Sequence, residues 1–265
     1  MTVRDNAIKN IVPFAMRLAR EAGAIMRKNF VLGVRKKWKA DGTPLTKADL
    51  QVNRLVVSAV RKRFPSHSVL AEEGSSLRPS EFVWVCDPID GTTPFSHGYP
   101  TFIFSLALTR NGKSIFGVLY DPIANRLAVA EKGRGTLING RRSHVRRERT
   151  INDRSFINLD GDSRLIGVRA HLLEKKNCWV STLYSCAYAS LLVAAGEFTA
   201  EVFEYKNPWD GAAAKIIVEE AGGRVTDILG KEQRYDRPLN GFIASNGSVH
   251  GELVKVVRSV LREHE

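Results

Sequence analysis

The most distinctive acidic block of the chain is Asp-Pro-Ile-Asp-Gly-Thr at residues 87–92. It follows a short apolar run, residues 82–86, which predicts a buried strand. Because Pro88 cannot continue a strand ladder, we expect the strand to end at Asp87. A tight turn would then aim the carboxylates of Asp87 and Asp90 at one point.

Residues 91–93 have the features of an anion-binding site. Gly91 lets the backbone approach a ligand closely, and Thr92 and Thr93 offer a hydroxyl, a helix N-cap and free backbone N–H groups. Two carboxylates beside such a helix start could hold a hard cation against a phosphate. The alternative is an ordinary turn after a strand, with Asp90 and Gly91 as turn residues. The block as a whole favours the metal site.

A second acid, Asp49, lies in the first turn of a predicted helix, with Thr46 as the expected N-cap. Val52, Val56 and Val60 recur at helical spacing and supply its buried face. A carboxylate in the first turn also stabilises the helix dipole. A structural role for Asp49 is therefore the alternative to a functional one.

Two further acidic segments also follow an apolar segment or begin a predicted helix. Glu72 and Glu73 come directly after a short apolar segment, and adjacent carboxylates repel unless a cation or solvent relieves them. A solvated surface turn is the alternative there. Asp210 lies in the first turn of a predicted helix that begins at Pro208.

The composition is that of a soluble globular protein. The chain has 265 residues, of which 43% are hydrophobic and 26% charged, enough for one large domain or two packed ones. We find no apolar run long enough to span a bilayer and no apolar leader at the N-terminus. Cys86, Cys178 and Cys186 show no zinc spacing and are interpreted as reduced thiols, which predicts a cytoplasmic protein.

The net charge is strongly positive. The chain carries 40 Lys and Arg against 28 Asp and Glu, a formal charge of +12 that could attract nucleic acid or another polyanion. The basic residues are scattered in short runs, with no aromatic-interleaved motif. A solvated basic surface is the preferred interpretation, and nucleic acid is not expected as the main partner.

Helical and strand patterns alternate along the chain. A long amphipathic helix is predicted from Ile8 to about residue 30, and a meander of strands covers residues 102–131. Residues 141–153 are polar and charged, which places a boundary near residue 150. We expect an N-terminal subdomain (1–150) with the metal and phosphate site, and a C-terminal α/β subdomain (151–265) that supplies Asp210 and the substrate pocket.

Taken together and in this order, four segments resemble the inositol monophosphatase family of Mg²⁺-dependent, Li⁺-sensitive phosphomonoesterases. The segments are Thr46-Lys-Ala-Asp49, Ala71-Glu72-Glu73-Gly74, residues 84–95, and Trp209-Asp210-Gly-Ala-Ala followed by Glu220-Ala-Gly-Gly223. The resemblance covers nearly the whole chain. It implies a layered α/β sandwich of alternating helix and sheet layers, a small phosphorylated substrate and a homodimer.

The resemblance also implies the metal ligands. Glu72, Asp87 and the backbone carbonyl of Ile89 would hold a first Mg²⁺. Asp87, Asp90 and Asp210 would hold a second, with two or three ions per site. Such oxygen-only ligands select Mg²⁺ over zinc, in agreement with the analysis of the residues themselves.

The same resemblance assigns catalytic roles to Asp49, Glu72 and Thr92. Asp49 and Thr92 would orient the attacking water, and the Gly91–Thr92 backbone amides would bind phosphate oxygens. Asp90 is also among the predicted substrate-binding residues. Because a metal makes its coordinated water a stronger acid, the reaction requires no histidine base.

The alcohol pocket departs from the family pattern. Where inositol-phosphate-hydrolysing members have a glutamate this chain has Phe203, followed by Glu204, and a Gly-Ser/Thr-Ala segment is replaced by Tyr184-Ser185-Cys186. Ser185 and Glu204 are the predicted substrate-binding residues. Strand neighbours face opposite ways, so either Glu204 or Phe203 faces the pocket, but not both.

These departures leave the substrate open. An apolar Phe203 cannot pair with a polyol hydroxyl, although with Tyr184 it could stack on a flat ring. We therefore expect a small polyol, sugar or amino-alcohol phosphate, with histidinol phosphate, fructose 1,6-bisphosphate and 3′-phosphoadenosine phosphates as alternatives.

Overall fold

The computed structural model describes residues 10–40, 42–161 and 165–263. Its helices are α1 (Ile11–Asn29), α2 (Lys47–Arg63), α3 (Thr92–His97), α4 (Ile166–Lys176), α5 (Cys186–Ala194), α6 (Pro208–Glu220) and α7 (His250–Glu263). Its strands are β1 (Lys36–Trp38), β2 (Pro44–Thr46), β3 (Ser68–Ala71), β4 (Phe82–Asp90), β5 (Ile103–Arg110), β6 (Lys113–Asp121), β7 (Arg126–Glu131), β8 (Gly135–Ile138), β9 (Arg141–Arg142), β10 (Phe156–Asp160), β11 (Trp179–Ser181), β12 (Ala200–Phe203), β13 (Arg224–Thr226) and β14 (Phe242–Ser245).

Two mixed sheets form the frame. The larger has the order β3-β4-β5-β6-β7-β8-β9, in which only β3 and β4 are parallel. The smaller has the order β11-β10-β12-β14-β13. A hairpin of β1 and β2 stands beside them.

Helix layers cover and separate the sheets. Helices α1 and α2 pack on one face of the larger sheet, and α5 and α6 fill the space between the sheets. Helices α4 and α7 cover the outer face of the smaller sheet. In β4, Trp84 and Cys86 enter the α1–α2 core, whereas Val85 between them enters the α5–α6 core. The result is the layered α/β sandwich predicted from the sequence, with alternating helix and sheet layers.

The elements follow the sequence pattern with particular exceptions. The meander of β5, β6 and β7 lies where it was predicted, and Asn139-Gly140 forms the turn before β9, with both residues at positive φ. Helix α4 was not predicted, because on it only Val168 and Leu172 are buried. The predicted helix start at Ile8 lies outside the described residues.

The sheets divide at the predicted boundary. Strand β9 ends the larger sheet before residue 150, and β10 begins the smaller one after it. The core around α5 and α6 nevertheless takes residues from both halves. The two subdomains remain a prediction. Within the described ranges, no helix combines the length and apolar character needed to cross a membrane.

Helix α6, which carries Asp210 in its first turn, packs unusually close to β6. A Cβ placed at Gly117 of β6 would lie 2.5 Å from Ile216 Cγ2 and 3.2 Å from the Ala213 carbonyl oxygen. The absence of a side chain at Gly117 therefore allows α6 to approach the sheet.

We expect Gly117→Ala to lower the free energy of unfolding by about 1–3 kcal/mol, because the added methyl group overpacks this contact. The matched control is Gly251→Ala in α7, where an added Cβ meets nothing within 4 Å. That change should be neutral or stabilising by up to about 1 kcal/mol. Urea denaturation of both variants measures the difference, and equal stability of Gly117→Ala and the wild type would contradict the close approach.

Candidate metal centre

A bulge at the end of β4 turns two acids to the same side of the sheet. Asp87 pairs with Ser105 and Asp90 with Ile103, so β4 has one residue more than β5 in this interval. Side chains three positions apart would face opposite sides of a regular strand, and the extra residue restores a common side. The prediction that the strand ends at Asp87 is wrong: Pro88 lies in the bulge, where its missing N–H is tolerated.

The bulge opens into a cavity of about 260 Å³ between the two halves of the chain. Most of the predicted site residues line it. They are Glu72, Asp87, Ile89, Asp90, Gly91, Thr92, Ser185 and Asp210. Residues far apart in sequence thus meet at one place, at the ends of β3 and β4 and at the starts of α3, α5 and α6.

Asp49 lies directly behind this cavity. It is fully buried, and its Oδ2 accepts a hydrogen bond from the backbone N–H of Thr46 at 2.8 Å, completing a capping box at the start of α2. Its Oδ1 lies 3.0 Å from the hydroxyl oxygen of Thr92. The structural and functional interpretations of Asp49 are therefore compatible, because each uses a different oxygen.

The Thr92 hydroxyl has two acceptors within reach. It lies 3.0 Å from Asp49 Oδ1 and 3.0 Å from the carbonyl oxygen of Ile89. A hydroxyl carries a single proton, so it can donate to only one of them at a time. Gly91, just before it, has a left-handed φ of 88°, and a Cβ there would lie 2.7 Å from the Thr101 carbonyl oxygen.

Asp90 is held by the start of α5. The Ser185 hydroxyl donates to its Oδ1, and the backbone N–H of Ala187 donates to the same atom at 3.1 Å. Cys186 Sγ lies 2.9 Å from Asp90 Oδ2 and 3.3 Å from the backbone oxygen of Asp210. Ser185, predicted to bind substrate, thus orients a predicted metal ligand.

The acidic cluster, defined as Glu72, Asp87, Asp90 and Asp210, is electrostatically strained. Burial raises the pKa of Asp87 well above its usual range, and the charges of Glu72 and Asp90 raise it further. Burial and then Asp90 and Glu72 do the same to the pKa of Asp210. The pKa of Glu72 rises to about 7, since burial outweighs the Lys39 ammonium nearby. The cluster therefore favours a compensating positive charge.

Lys39, which follows β1, was not predicted to belong to the site. Its Nζ donates to Glu72 Oε1 at 2.7 Å and also to Glu73. Burial lowers the pKa of this ammonium, but the charges of Glu72 and Glu73 outweigh burial and raise it. No sequence pattern pointed to Lys39, because its contact with Glu72, 33 residues away, depends on tertiary folding.

The donor atoms fit a hard divalent cation. The acidic cluster and the Ile89 carbonyl, all lining one cavity, offer only oxygen. One ligand atom from each of Asp90, Cys186 and Asp210 lies within 4.8 Å of the others, so a sulfur atom adjoins this oxygen set. Oxygen donors in such number suit Mg²⁺ better than zinc.

Phe203, and not Glu204, lines the cavity. The Phe203 ring packs against Tyr205 with centroids 4.6 Å apart. Glu204 lies at the separate cavity of about 500 Å³, together with Lys206 and Arg258. Because side chains alternate along an extended backbone, one neighbour faces the acidic cluster and the other faces away. The structure does not bring Glu204 to the predicted substrate pocket.

The cavity includes a buried acid that sequence reasoning missed. Asp160, the last residue of β10, is 2% exposed. Burial raises its pKa to about 7, helped by the charge of Asp90 and opposed by the backbone N–H groups of Ser185 and Tyr184. An acid at the end of a strand, the pattern that identified Asp87 and Glu72, would have found it.

The chain is similar over nearly its whole length to known phosphatases. The model of the inositol monophosphatase family matches residues 8–262. A fructose-1,6-bisphosphatase/inositol-1-monophosphatase of Thermotoga maritima is 36% identical over 94% of this chain and 96% of that protein. Human inositol monophosphatase 1 is 30% identical over 91% of each chain. A solved IMPase structure from T. maritima has a TM-score of 0.88 at 34% identity, covering 97% of this chain and 100% of that one.

Divalent metal should stabilise the fold. Mg²⁺ at about 100 times its dissociation constant is expected to raise the free energy of unfolding by about 2.7 kcal/mol. Asp87→Asn should raise the free energy of unfolding of the metal-free protein, because the amide removes a buried charge that Glu72 and Asp90 repel. The same variant should lose most of the response to Mg²⁺.

Thermal denaturation with and without Mg²⁺ measures both effects. The matched control, Asp153→Asn, makes the same charge change at an exposed position and should behave as the wild type. A metal-free Asp87→Asn protein less stable than the wild type would contradict the strain in the acidic cluster.

Proposed function

The chain belongs to the inositol monophosphatase family and is a phosphoric monoester hydrolase; on that premise we propose Mg²⁺ as its cofactor and a small sugar, polyol or amino-alcohol phosphate as its substrate. The observation that carries the proposal is the acidic cluster, four buried or half-buried carboxylates that converge on one cavity beside the start of α3. Such a cluster would repel a phosphate unless cations were bound among the carboxylates.

The metal ligands are assigned by matching the family pattern to the cavity. Glu72, Asp87 and the Ile89 carbonyl would hold one ion, and Asp87, Asp90 and Asp210 a second, with two or three ions per site. Bound Mg²⁺ supplies Lewis-acid chemistry toward the phosphoryl oxygens and the attacking water. The buried positions of the carboxylates keep them in place before any substrate arrives.

Thr92 and Asp49 are proposed to orient the water. The Thr92 hydroxyl lines the cavity and can accept a hydrogen bond from a water while donating to Asp49 Oδ1 behind it. Asp49 is itself fixed by the cap of α2, so the pair has little freedom. This arrangement directs an oxygen lone pair of the water toward the phosphorus atom without a histidine.

The phosphate is proposed to lie at the start of α3. The first backbone N–H groups of a helix have no intrahelical acceptor, and they attract anions. The left-handed conformation of Gly91 exposes this backbone, and the lack of a Cβ leaves room beside Thr101. Gly91 and Thr92 thereby provide neutral donors for phosphate oxygens in an otherwise acidic site.

The alcohol pocket argues against inositol 1-phosphate as the preferred substrate. Phe203 lines the cavity and has no group that could pair with a ring hydroxyl. The T. maritima relative named fructose-1,6-bisphosphatase/inositol-1-monophosphatase supports a sugar phosphate as well as inositol 1-phosphate, so the preference rests on Phe203. Histidinol phosphate and 3′-phosphoadenosine phosphates are the further alternatives.

We also propose that the protein is a homodimer and that it is cytoplasmic. Family membership supports the dimer. A monomeric mass measured by light scattering at micromolar concentration would refute it. The cysteines Cys86, Cys178 and Cys186 are buried and free, which supports a reducing compartment.

With Mg²⁺ present, kcat/KM for inositol 1-phosphate should be lower than for at least one of histidinol phosphate, fructose 1,6-bisphosphate and 3′-phosphoadenosine 5′-phosphate. Asp87→Asn should reduce every measurable rate by about 100-fold or more, since the ligand serves both proposed ions. Asp153→Asn again serves as the control. No hydrolysis of any of the four esters would refute the proposal, and a clear preference for inositol 1-phosphate would refute its substrate part.

A further inference from the structure

The buried carboxylate of Asp160 has no assigned role in the proposed metal centre. It lines the same cavity as the acidic cluster, yet it is not among the ligands of either proposed ion. Its Oδ2 has no hydrogen-bond partner among the described residues. A buried acceptor without a partner is destabilising, so the folded protein gains when a ligand supplies a donor there.

Three aromatic residues line the same cavity as Asp160. They are Tyr184, Phe203 and Tyr205. Tyr184 is 60% exposed and has a φ of 56°, a left-handed conformation that is uncommon outside glycine and concentrates at ligand sites. Tyr205 is 48% exposed, whereas Phe203 is only 5% exposed and belongs to the cavity wall. Exposed tyrosine rings beside a buried carboxylate suit a flat group that carries a positive charge.

The charges of the cavity discriminate between substrate classes. Within the described part of the chain, none of the residues that line it is Lys or Arg. A second phosphate group near Asp160 would therefore meet like charge without a compensating cation. An ammonium group in the same place would be attracted by the carboxylate and by the faces of the tyrosine rings.

We propose that Asp160 selects the alcohol part of the substrate, accepting a hydrogen bond from an ammonium group on a monophosphate ester whose flat ring packs against Tyr184 and Phe203. The inference rests on the proposed phosphatase function and narrows it to aromatic amino-alcohol phosphates. Asp160 is a specificity residue, and the hydrolytic step remains with the acidic cluster and Thr92. Its backbone contacts with Tyr184 and Ser185 fix its carboxylate relative to Asp90.

The test compares two esters that differ only in the amine. L-histidinol phosphate carries the ring and the ammonium group, and 3-(imidazol-4-yl)propyl phosphate carries the ring alone. Wild-type protein with Mg²⁺ should prefer the amine by about 10- to 100-fold in kcat/KM, the range of a hydrogen bond to a charged group. In Asp160→Asn this ratio should fall to near one, mainly through KM of the amine, while Asp153→Asn keeps the wild-type ratio.

Calorimetric titration with Mg²⁺ separates specificity from metal binding. A role in substrate selection predicts a similar Mg²⁺ dissociation constant in Asp160→Asn and the wild type. Weaker Mg²⁺ binding together with an equal loss on both esters would overturn the inference and make Asp160 a metal ligand.

If Asp160→Asn does not fold, measurements on the wild-type protein alone still test the inference. A wild-type protein that hydrolyses p-nitrophenyl phosphate with Mg²⁺ but treats the two esters alike overturns the inference and leaves the proposed function standing. Failure to hydrolyse p-nitrophenyl phosphate and both esters overturns the proposed function, and the role of Asp160 with it.

Discussion

Repulsion among buried carboxylates is the constraint on which the site depends. Asp87, Asp90 and Asp210 are each less than about 10% exposed, and burial raises the pKa of all three. Packing of the surrounding core must hold them together against this repulsion. The Lys39 ammonium relieves the Glu72 side of the cluster, and bound divalent cations would relieve the rest. We expect a cluster strained in this way to favour cation binding, because the fold has already assembled the proposed ligands.

The two halves of the chain meet at this cluster, and local backbone features set its geometry. The one-residue bulge in β4 brings Asp87 and Asp90 to one side. The close approach of α6 at Gly117 brings Asp210 to the same place, and Ser185 at the start of α5 fixes Asp90. Neither half contains the whole site, so the core shared around α5 and α6 would link folding to the proposed metal binding.

Much of this could be predicted from the sequence, because the informative features are local. Asp87 lies near the end of a strand, and Asp49 and Asp210 lie in the first turns of helices. Hydrophobic periodicity located nearly all of those elements. The side-chain direction of Phe203 and Glu204 was not predictable, since a shift of one residue in strand register exchanges the two. Lys39 was missed because its partner Glu72 comes from a distant segment. Asp160 was missed although it ends a strand as the other acids do, and only the fold shows that it meets Tyr184. The bulge at Pro88 was mistaken for a strand end, because proline is compatible with both.

The central claim is that the acidic cluster is a metal centre, and a crystal structure grown with Mn²⁺ tests it most directly. Mn²⁺ accepts the same oxygen ligands as Mg²⁺ and is visible by its anomalous scattering. We expect one anomalous peak among Glu72, Asp87 and the Ile89 carbonyl, and a second among Asp87, Asp90 and Asp210. Millimolar Mn²⁺ with no peak within the acidic cluster, and Lys39 still paired with Glu72, would contradict it.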